Sequence, residues 1–214
     1  MTTWLHQERL RAVEAVVTAS GARHVADLGC GGGDMFLRLA RLPGITRLTG
    51  LDVSADALER LRARLARLDP PLPEVTLAAG SVLDPLTGLV GPAGLAAVDC
   101  ALMIEVIEHL DPAQLSRLEG ALFARLRPRV AIITTPNAEF NPLLGVPAHR
   151  MRHPGHRFEW DRARFRAWGR RVAAGAGYGL RFDDIGGRHP ELGGASQMAV
   201  FEDLSNPAGA VVTG

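Results

Sequence analysis

Apolar and polar positions along the chain follow two alternating rhythms. From about Leu5 to Ala19 the spacing is helical, with Leu10, Val13, Val16 and Val17 on one side. "HVADLG" is then a short apolar run of the kind a buried strand shows, closed by a glycine. "DMFLRLARL" returns to helical spacing, and "RLTGLDVS" to a strand. Ser54 is placed to cap the helix "ADALERLRARLARL", which the "DPPLPE" cluster stops. A third strand, "VTLAAGSV", leads into the Gly- and Pro-rich "LDPLTGLVGPAGLA", read as a loop. "AVDCALMI" is a fourth strand, and "PAQLSRLEGALFARL" a helix with Pro112 in its first turn. "RVAIITTP" is a fifth strand, stopped by Pro136. The pattern then lapses from 137 to 161, before the helix "RARFRAWGRRVAAG" and two final strands, "YGLRFDDI" and "SQMAVF".

Strands alternating with helices predict an α/β fold. The expectation is a doubly wound, mostly parallel sheet of about seven strands, with helices on both faces and an added N-terminal helix. The 214 residues suffice for one ordinary domain, expected over 1–204, with 205–214 as a mobile tail. Apolar residues make up 47% and charged residues 22%, as in water-soluble globular proteins. No apolar run reaches the roughly 18 residues of a membrane span. The N-terminus has no signal-peptide plan, so no membrane partner is expected. Cys30 and Cys100 give no disulfide framework, which points to a reducing cytoplasm. All 24 basic residues are arginine, and the net charge of +1 excludes a polyanion binder of uniform charge. Between residues 149 and 171, however, eight arginines stand against Glu159 and Asp161, beside His149, His153 and His156. Such a stretch suits phosphates, although on the helix after Asp161 the same arginines fit an ordinary solvated face.

Parallel sheets of this kind bind ligands at the carboxyl ends of their strands. The first end reads "ADLGCGGGD". Gly29 and Gly31 permit close approach of a ligand to the backbone. Asp27 just before them repels a pyrophosphate and suits a ligand with a positive centre, such as the sulfonium and ammonium of S-adenosylmethionine. The second end places Asp52, followed by Val53, where a carboxylate accepts hydrogen bonds from ribose hydroxyls. At the third, Gly80, Ser81 and Val82 face the expected position of an adenine edge. Each feature alone is ordinary turn chemistry. In this order, over roughly the first 135 residues, they resemble the class I S-adenosylmethionine-dependent methyltransferases.

The fourth strand end carries "IEVIEH". Glu105, Glu108 and His109 stand at i, i+3 and i+4, and in a helical turn they project to one side. Two crowded carboxylates repel, and a divalent cation removes that conflict. The alternative is the solvated start of the next helix. Long loops in compact domains are usually functional or disordered, and Phe158 and Trp160 favour an ordered one here. Spacing does not choose among His149, His153 and His156 as a further ligand. A mixed carboxylate and imidazole set favours manganese, iron or cobalt over magnesium.

"IEVIEH", "TTPNAEFN" and "RHPGHRFEW" together resemble the small-RNA 3′-terminal ribose 2′-O-methyltransferases, with a match that runs from the N-terminal helix through "GGASQMAVF". The resemblance implies methyl transfer from S-adenosylmethionine to the 2′-hydroxyl of an RNA 3′ end that carries a free 2′,3′-diol. It implies one divalent metal (manganese, magnesium or cobalt) on Glu105, Glu108, His109 and His156 as the catalytic set, and leaves His153 as a surface or RNA-facing side chain. Residues 137–161 become the active-site loop. Thr135, Asn137 and Asn141 would line the RNA path, and Arg150, Arg152 and Arg157 would hold terminal phosphates. Bacterial members act with RNA end-healing and ligation enzymes, the expected protein partners. Two other readings are a metal-dependent O-methyltransferase of catechol-type diols, which the basic histidine loop disfavours, and a cofactor-binding sensor without activity.

Overall fold

In a computed structural model, residues 4–84, 90–91, 94–95, 97–187 and 189–206 are described. The sheet strands are β1 (His24–Leu28), β2 (Arg47–Asp52), β3 (Glu74–Ala79), β4 (Cys100–Ile104), β5 (Val130–Pro136), β6 (Tyr178–Ile185) and β7 (Ser196–Asp203). The helices are α1 (Trp4–Ser20), α2 (Asp34–Leu39), α3 (Ala55–Leu65), α4 (Leu115–Glu119) and α5 (Arg162–Ala176).

The seven strands lie in the order β3-β2-β1-β4-β5-β7-β6. β1 to β5 pair in parallel, and β7 runs antiparallel to both β5 and β6. The seven strands and the two-sided helical cover are those the pattern predicts. After β1 the chain proceeds outward through β2 and β3, and it returns to the other side of β1 as β4. That reversal opens a crevice between the carboxyl ends of β1 and β4. The central strands are apolar because both of their faces are covered: all five residues of β1 and all seven of β5 are buried.

On one face, Leu10, Val13 and Val17 of α1 pack with Phe36 and Leu39 of α2 and Leu58 and Leu61 of α3. On the other, the core is aromatic. Phe123, Trp160, Phe165, Trp168, Tyr178 and Phe201 join one cluster, with the Phe123 and Phe201 rings 4.8 Å apart. These two layers account for the helical periodicities of the chain, since each helix turns its apolar stripe to one face of the sheet.

The boundaries shift where tertiary contacts outweigh local pattern. The helix expected over 112–126 is built in three parts. A 3-10 turn at Pro112–Gln114 carries a capping box between Asp111 and Gln114, α4 follows, and Gly120–Leu126 continues in wider π turns. Within the expected loop at 83–96, Val90–Gly91 and Gly94–Leu95 pair as a short antiparallel ladder. The intervening residues, and 207–214 of the expected tail, lie outside the described residues. The segment 137–161 is largely without regular structure but closed at its base, where Asn137 bridges to Trp160 and a 3-10 helix spans Ala138–Leu144. Among the described residues no helix is long and apolar enough to cross a membrane.

Candidate functional site

The loop after β1 is built to let a ligand approach. Gly29 N–H and Cys30 N–H both donate to Leu51 O, at 2.7 and 3.1 Å, which folds the loop over the end of β2. Gly29 adopts φ +85°, and a Cβ there would stand 2.6 Å from Val106 Cγ2. Glycine is therefore required both by the left-handed backbone and by the neighbour. Asp27, at the end of β1, is 2% exposed and accepts no hydrogen bond among the described residues. Burial, and then repulsion from Asp52, push its carboxyl up to about 7. An unpaired buried carboxylate at this position calls for a cationic partner. A cleft lined by Asp27, Gly29, Gly33, Asp34 and Ile104, of about 300 Å³, opens directly above it.

Asp52 is half-buried and already holds two backbone donors, Gly31 N–H and Ser54 N–H, each at 2.8 Å. A carboxylate offers about four lone-pair directions, so capacity remains for ribose hydroxyls. The same two bonds orient the side chain and fix Gly31 beside it. Val53 is exposed at 76%, an apolar surface next to Asp52. Gly80 N–H is tied to Asp52 O at 3.0 Å, and Ser81 Oγ accepts from Leu83 N–H at 3.2 Å, which leaves the Ser81 hydroxyl free to donate. Val82 is buried behind them.

The glutamate–histidine motif follows β4 and is no helix start. Glu105 stands at φ +55°, a left-handed conformation that non-glycine residues seldom adopt. A single 3-10 turn, Ile107–His109, comes after it. Glu105, Glu108 and His109 therefore do not share the face of one α-helical turn. Instead the threonines that end β5 position the glutamates. Thr134 Oγ1 donates to Glu105 Oε1 at 3.1 Å, and Thr135 Oγ1 to Glu108 Oε2 at 3.0 Å. Arg9 of α1 pairs with Glu105 Oε2 at 3.1 Å and donates to Ser196 Oγ at 2.9 Å. Glu108 is fully buried, and its Oε1 has no hydrogen-bond partner. Burial, together with repulsion from Glu105, raises its carboxyl well above the ordinary range.

The histidine loop closes over this motif. Arg157 N–H donates to Glu108 O at 2.7 Å, and His109 Nδ1 lies 3.1 Å from Gly155 O. The rings of His109 and His156 are 4.8 Å apart, edge to face. Ring nitrogens of His109, His153 and His156 all fall within 4.8 Å of one another. Burial, and the neighbouring His156 and His153 rings, lower the His109 pKa and favour the neutral imidazole, against a hydrogen bond to Gly155 that raises it. Neutral imidazole is the form that ligates metals.

An orphaned buried carboxylate oxygen, two mutually repelling glutamates and a knot of imidazoles make a donor set that fits a divalent cation. Among the described residues the structure brings His109, His153 and His156 together, of which the resemblance leaves only His153 out of the ligand set, and it does not bring Glu105 or Glu108 within the same close group. His149 does not join this cluster. Glu105 has both oxygens engaged by Thr134 and Arg9.

Three residues expected along the RNA path, and one expected to hold a terminal phosphate, have polar groups engaged inside the protein. Thr135 is committed to Glu108. Asn137 is fully buried, donates to Leu192 O and Gly194 O, and accepts from Glu139 N–H. Asn141 donates to Glu159 Oε2 at 2.7 Å and accepts from Arg152 Nε. Arg152 turns inward and also donates to Asn137 O and Ala195 O. Each is a support of the loop, and these bonds turn the four side chains toward the protein. Arg150 and Arg157 remain exposed. The sequence reading overlooked Arg9, Thr134, Ser196 and Glu159. The paired threonines at a strand end are a local signal for Thr134, but Arg9 reaches Glu105 only through the fold.

A crevice at the β1/β4 reversal, with a glycine loop and acidic residues on successive strand ends, defines a class I S-adenosylmethionine-dependent methyltransferase. Residues 25–129 match the family model described as a methyltransferase domain. The chain belongs to the Hen1 family of small-RNA methyltransferase domains. It is 38% identical to the methyltransferase domain of bacterial CtHen1, with a TM-score of 0.79 over 92% of this chain and 99% of that one. The mouse small RNA 2′-O-methyltransferase is 35% identical over 92% of this chain and 50% of its own length. The structure described as small RNA methyltransferase HEN1 is 28% identical, with a TM-score of 0.83, over 97% of this chain and 26% of that one. The chain thus spans about half the length of the mouse relative.

Proposed function

We propose that this chain transfers a methyl group from S-adenosylmethionine to the 2′-hydroxyl of the 3′-terminal ribose of RNA, with a divalent cation held by Glu105, Glu108, His109 and His156. The observation that carries the reading is the free, buried Oε1 of Glu108 after β4, at the rim of the cofactor crevice, on a motif over which the loop bearing the imidazole cluster is hydrogen-bonded. Membership in the Hen1 family supports the substrate class. When bound, S-adenosylmethionine supplies an electrophilic methyl group, and the cation supplies positive charge that acidifies and orients a ribose hydroxyl. The chain's own residues do the rest. Asp27 meets the ammonium end of the cofactor, Asp52 its ribose, and Gly80, Ser81 and Val82 its adenine, with Val53 as apolar cover. Thr134, Thr135 and Arg9 hold the two glutamates in place. Arg150 and Arg157, on the exposed side of the loop, meet the terminal phosphates. A vicinal diol offers two oxygens to the site, so a free 3′ end is the form selected. The expected metal is manganese or cobalt, given the imidazoles. Such a mark protects RNA ends, and an enzyme that heals or ligates RNA ends is the partner class it suits.

The test uses methyl-labelled cofactor, manganese, and RNAs ending in a 2′,3′-diol, a 3′-deoxyribose or a 3′-phosphate. Label is expected only on the diol end, and chelator should abolish it. Transfer that persists in chelator, or on the 3′-deoxy end, overturns the metal–diol reading.

Asp27 gives this site a pH dependence. A cationic cofactor binds the ionised carboxylate, so below its value of about 7 a proton must leave on binding. Affinity is expected to fall about tenfold from pH 8 to pH 6 by calorimetry, and the fall should vanish in Asp27→Asn.

A further inference from the structure

His156 enters the cluster through a loop, the least rigid kind of element for such a task. Its support lies on the far side of its ring. His156 Nδ1 is 2.5 Å from Glu159 Oε1, and both side chains are almost completely buried, at 7% and 3% exposure. Glu159 is itself held from two further directions. Arg152 N–H donates to its Oε1 at 2.7 Å, and Asn141 Nδ2 donates to its Oε2 at 2.7 Å. Behind Asn141 stands the inward-turned Arg152, anchored on Asn137 O and Ala195 O, which belong to the rim of β5 and the approach to β7. The carboxylate therefore cannot swing away from the imidazole without breaking a network fixed to the sheet.

We infer that Glu159 is a positioning residue: by accepting the Nδ1 proton of His156 it leaves the Nε2 lone pair directed at the cluster with His109. The inference rests on the reading of His156 as a cation ligand. An imidazole held in the opposite tautomer would present an N–H there, a donor useless to a cation. A carboxylate behind a ligating histidine both fixes its tautomer and makes it a stronger base. The network also explains why Arg152 and Asn141, in a segment read as RNA-facing, point inward: they form the backing of the site.

The experiment has two readouts besides turnover. Nitrogen-15 NMR of the histidine-labelled protein reports which nitrogen of His156 carries the proton. Calorimetric titration with manganese alone reports cation affinity. In the wild-type protein at pH 8 the proton is expected on Nδ1. Glu159→Ala should weaken manganese binding about 10- to 100-fold, and move proton density to Nε2. Glu159→Gln keeps an oxygen for Nδ1 but turns an amide donor toward Asn141, and should hold affinity within about tenfold of wild type. His156→Ala separates the two levels of the argument. If it loses manganese binding while Glu159→Ala keeps wild-type affinity, positioning by Glu159 is overturned and the cation site stands. If His156→Ala binds manganese like wild type, the ligand assignment fails and the inference with it. Should Glu159→Ala not fold, a proton found on Nε2 in the wild-type protein overturns the inference by itself.

Discussion

Glu108→Ala should abolish methyl transfer, by on the order of 10³-fold or more, corresponding to about 4 kcal/mol of transition-state stabilisation, while cofactor affinity measured by calorimetry stays near wild type. The two readouts part because Glu108 lies after β4, whereas the proposed cofactor contacts lie after β1, β2 and β3. Glu108→Gln sharpens the result. It preserves volume and an acceptor for the Thr135 hydroxyl, but removes a buried charge that burial and Glu105 both oppose. The metal-free variant should therefore be at least as stable as wild type in urea denaturation, yet inactive. A residue that costs stability and is needed for activity belongs to the chemistry, in keeping with the usual trade between the two. A fully active Glu108→Ala protein would remove the site proposed here.

The second large effect is expected at Gly29→Ala. The left-handed backbone costs a residue with a Cβ about 1–2 kcal/mol. The new methyl group also meets Val106 Cγ2 at 2.6 Å, and overpacking of this kind costs about 1–3 kcal/mol more. Val106 lies between Glu105 and Glu108, so the strain is passed from the cofactor loop to the glutamate motif. Stability should fall by about 2–5 kcal/mol, and turnover per folded molecule at saturating cofactor should fall at least about 30-fold as well. A variant that loses cofactor affinity alone would show that the two loops act independently. Gly31→Ala is the matched control, with φ +50° but nothing within 4 Å of its Cβ.

The layout of the molecule was legible wherever a residue's role is local. The apolar runs "HVADLG" and "RVAIITTP" read as buried strands because a strand covered on both faces has no polar side to show. Leu10, Val13 and Val17 marked the helix that covers one face, and all three are buried there. Asp27, Gly29 and Asp52 stood out as candidates because a turn that brings backbone to a ligand favours glycine, and a cationic ligand favours a carboxylate. "IEVIEH" announced a site for a similar reason: carboxylates at the end of an apolar strand are costly unless something compensates them.

Other features depended on residues far apart in the chain. The conformation of Glu105 is set by Thr134, 29 positions on, and by Arg9, in a helix on the other side of the chain's first strand. Spacing within the motif suggested a helical face, but these partners hold a bent segment instead. Arg150, Arg152 and Arg157 look alike in sequence. Only the fold separates the exposed pair from Arg152, whose guanidinium replaces missing backbone partners inside an irregular loop. His153 could not be told from its neighbours, because the cluster is made by a loop closing over a strand end. Sequence by itself determined the class of fold and singled out the glycine loop and the glutamate–histidine motif as candidates for the site. Tertiary structure decided which side chains face each other across it, since hydrogen bonds and ion pairs act over a few ångströms and take no account of distance along the chain.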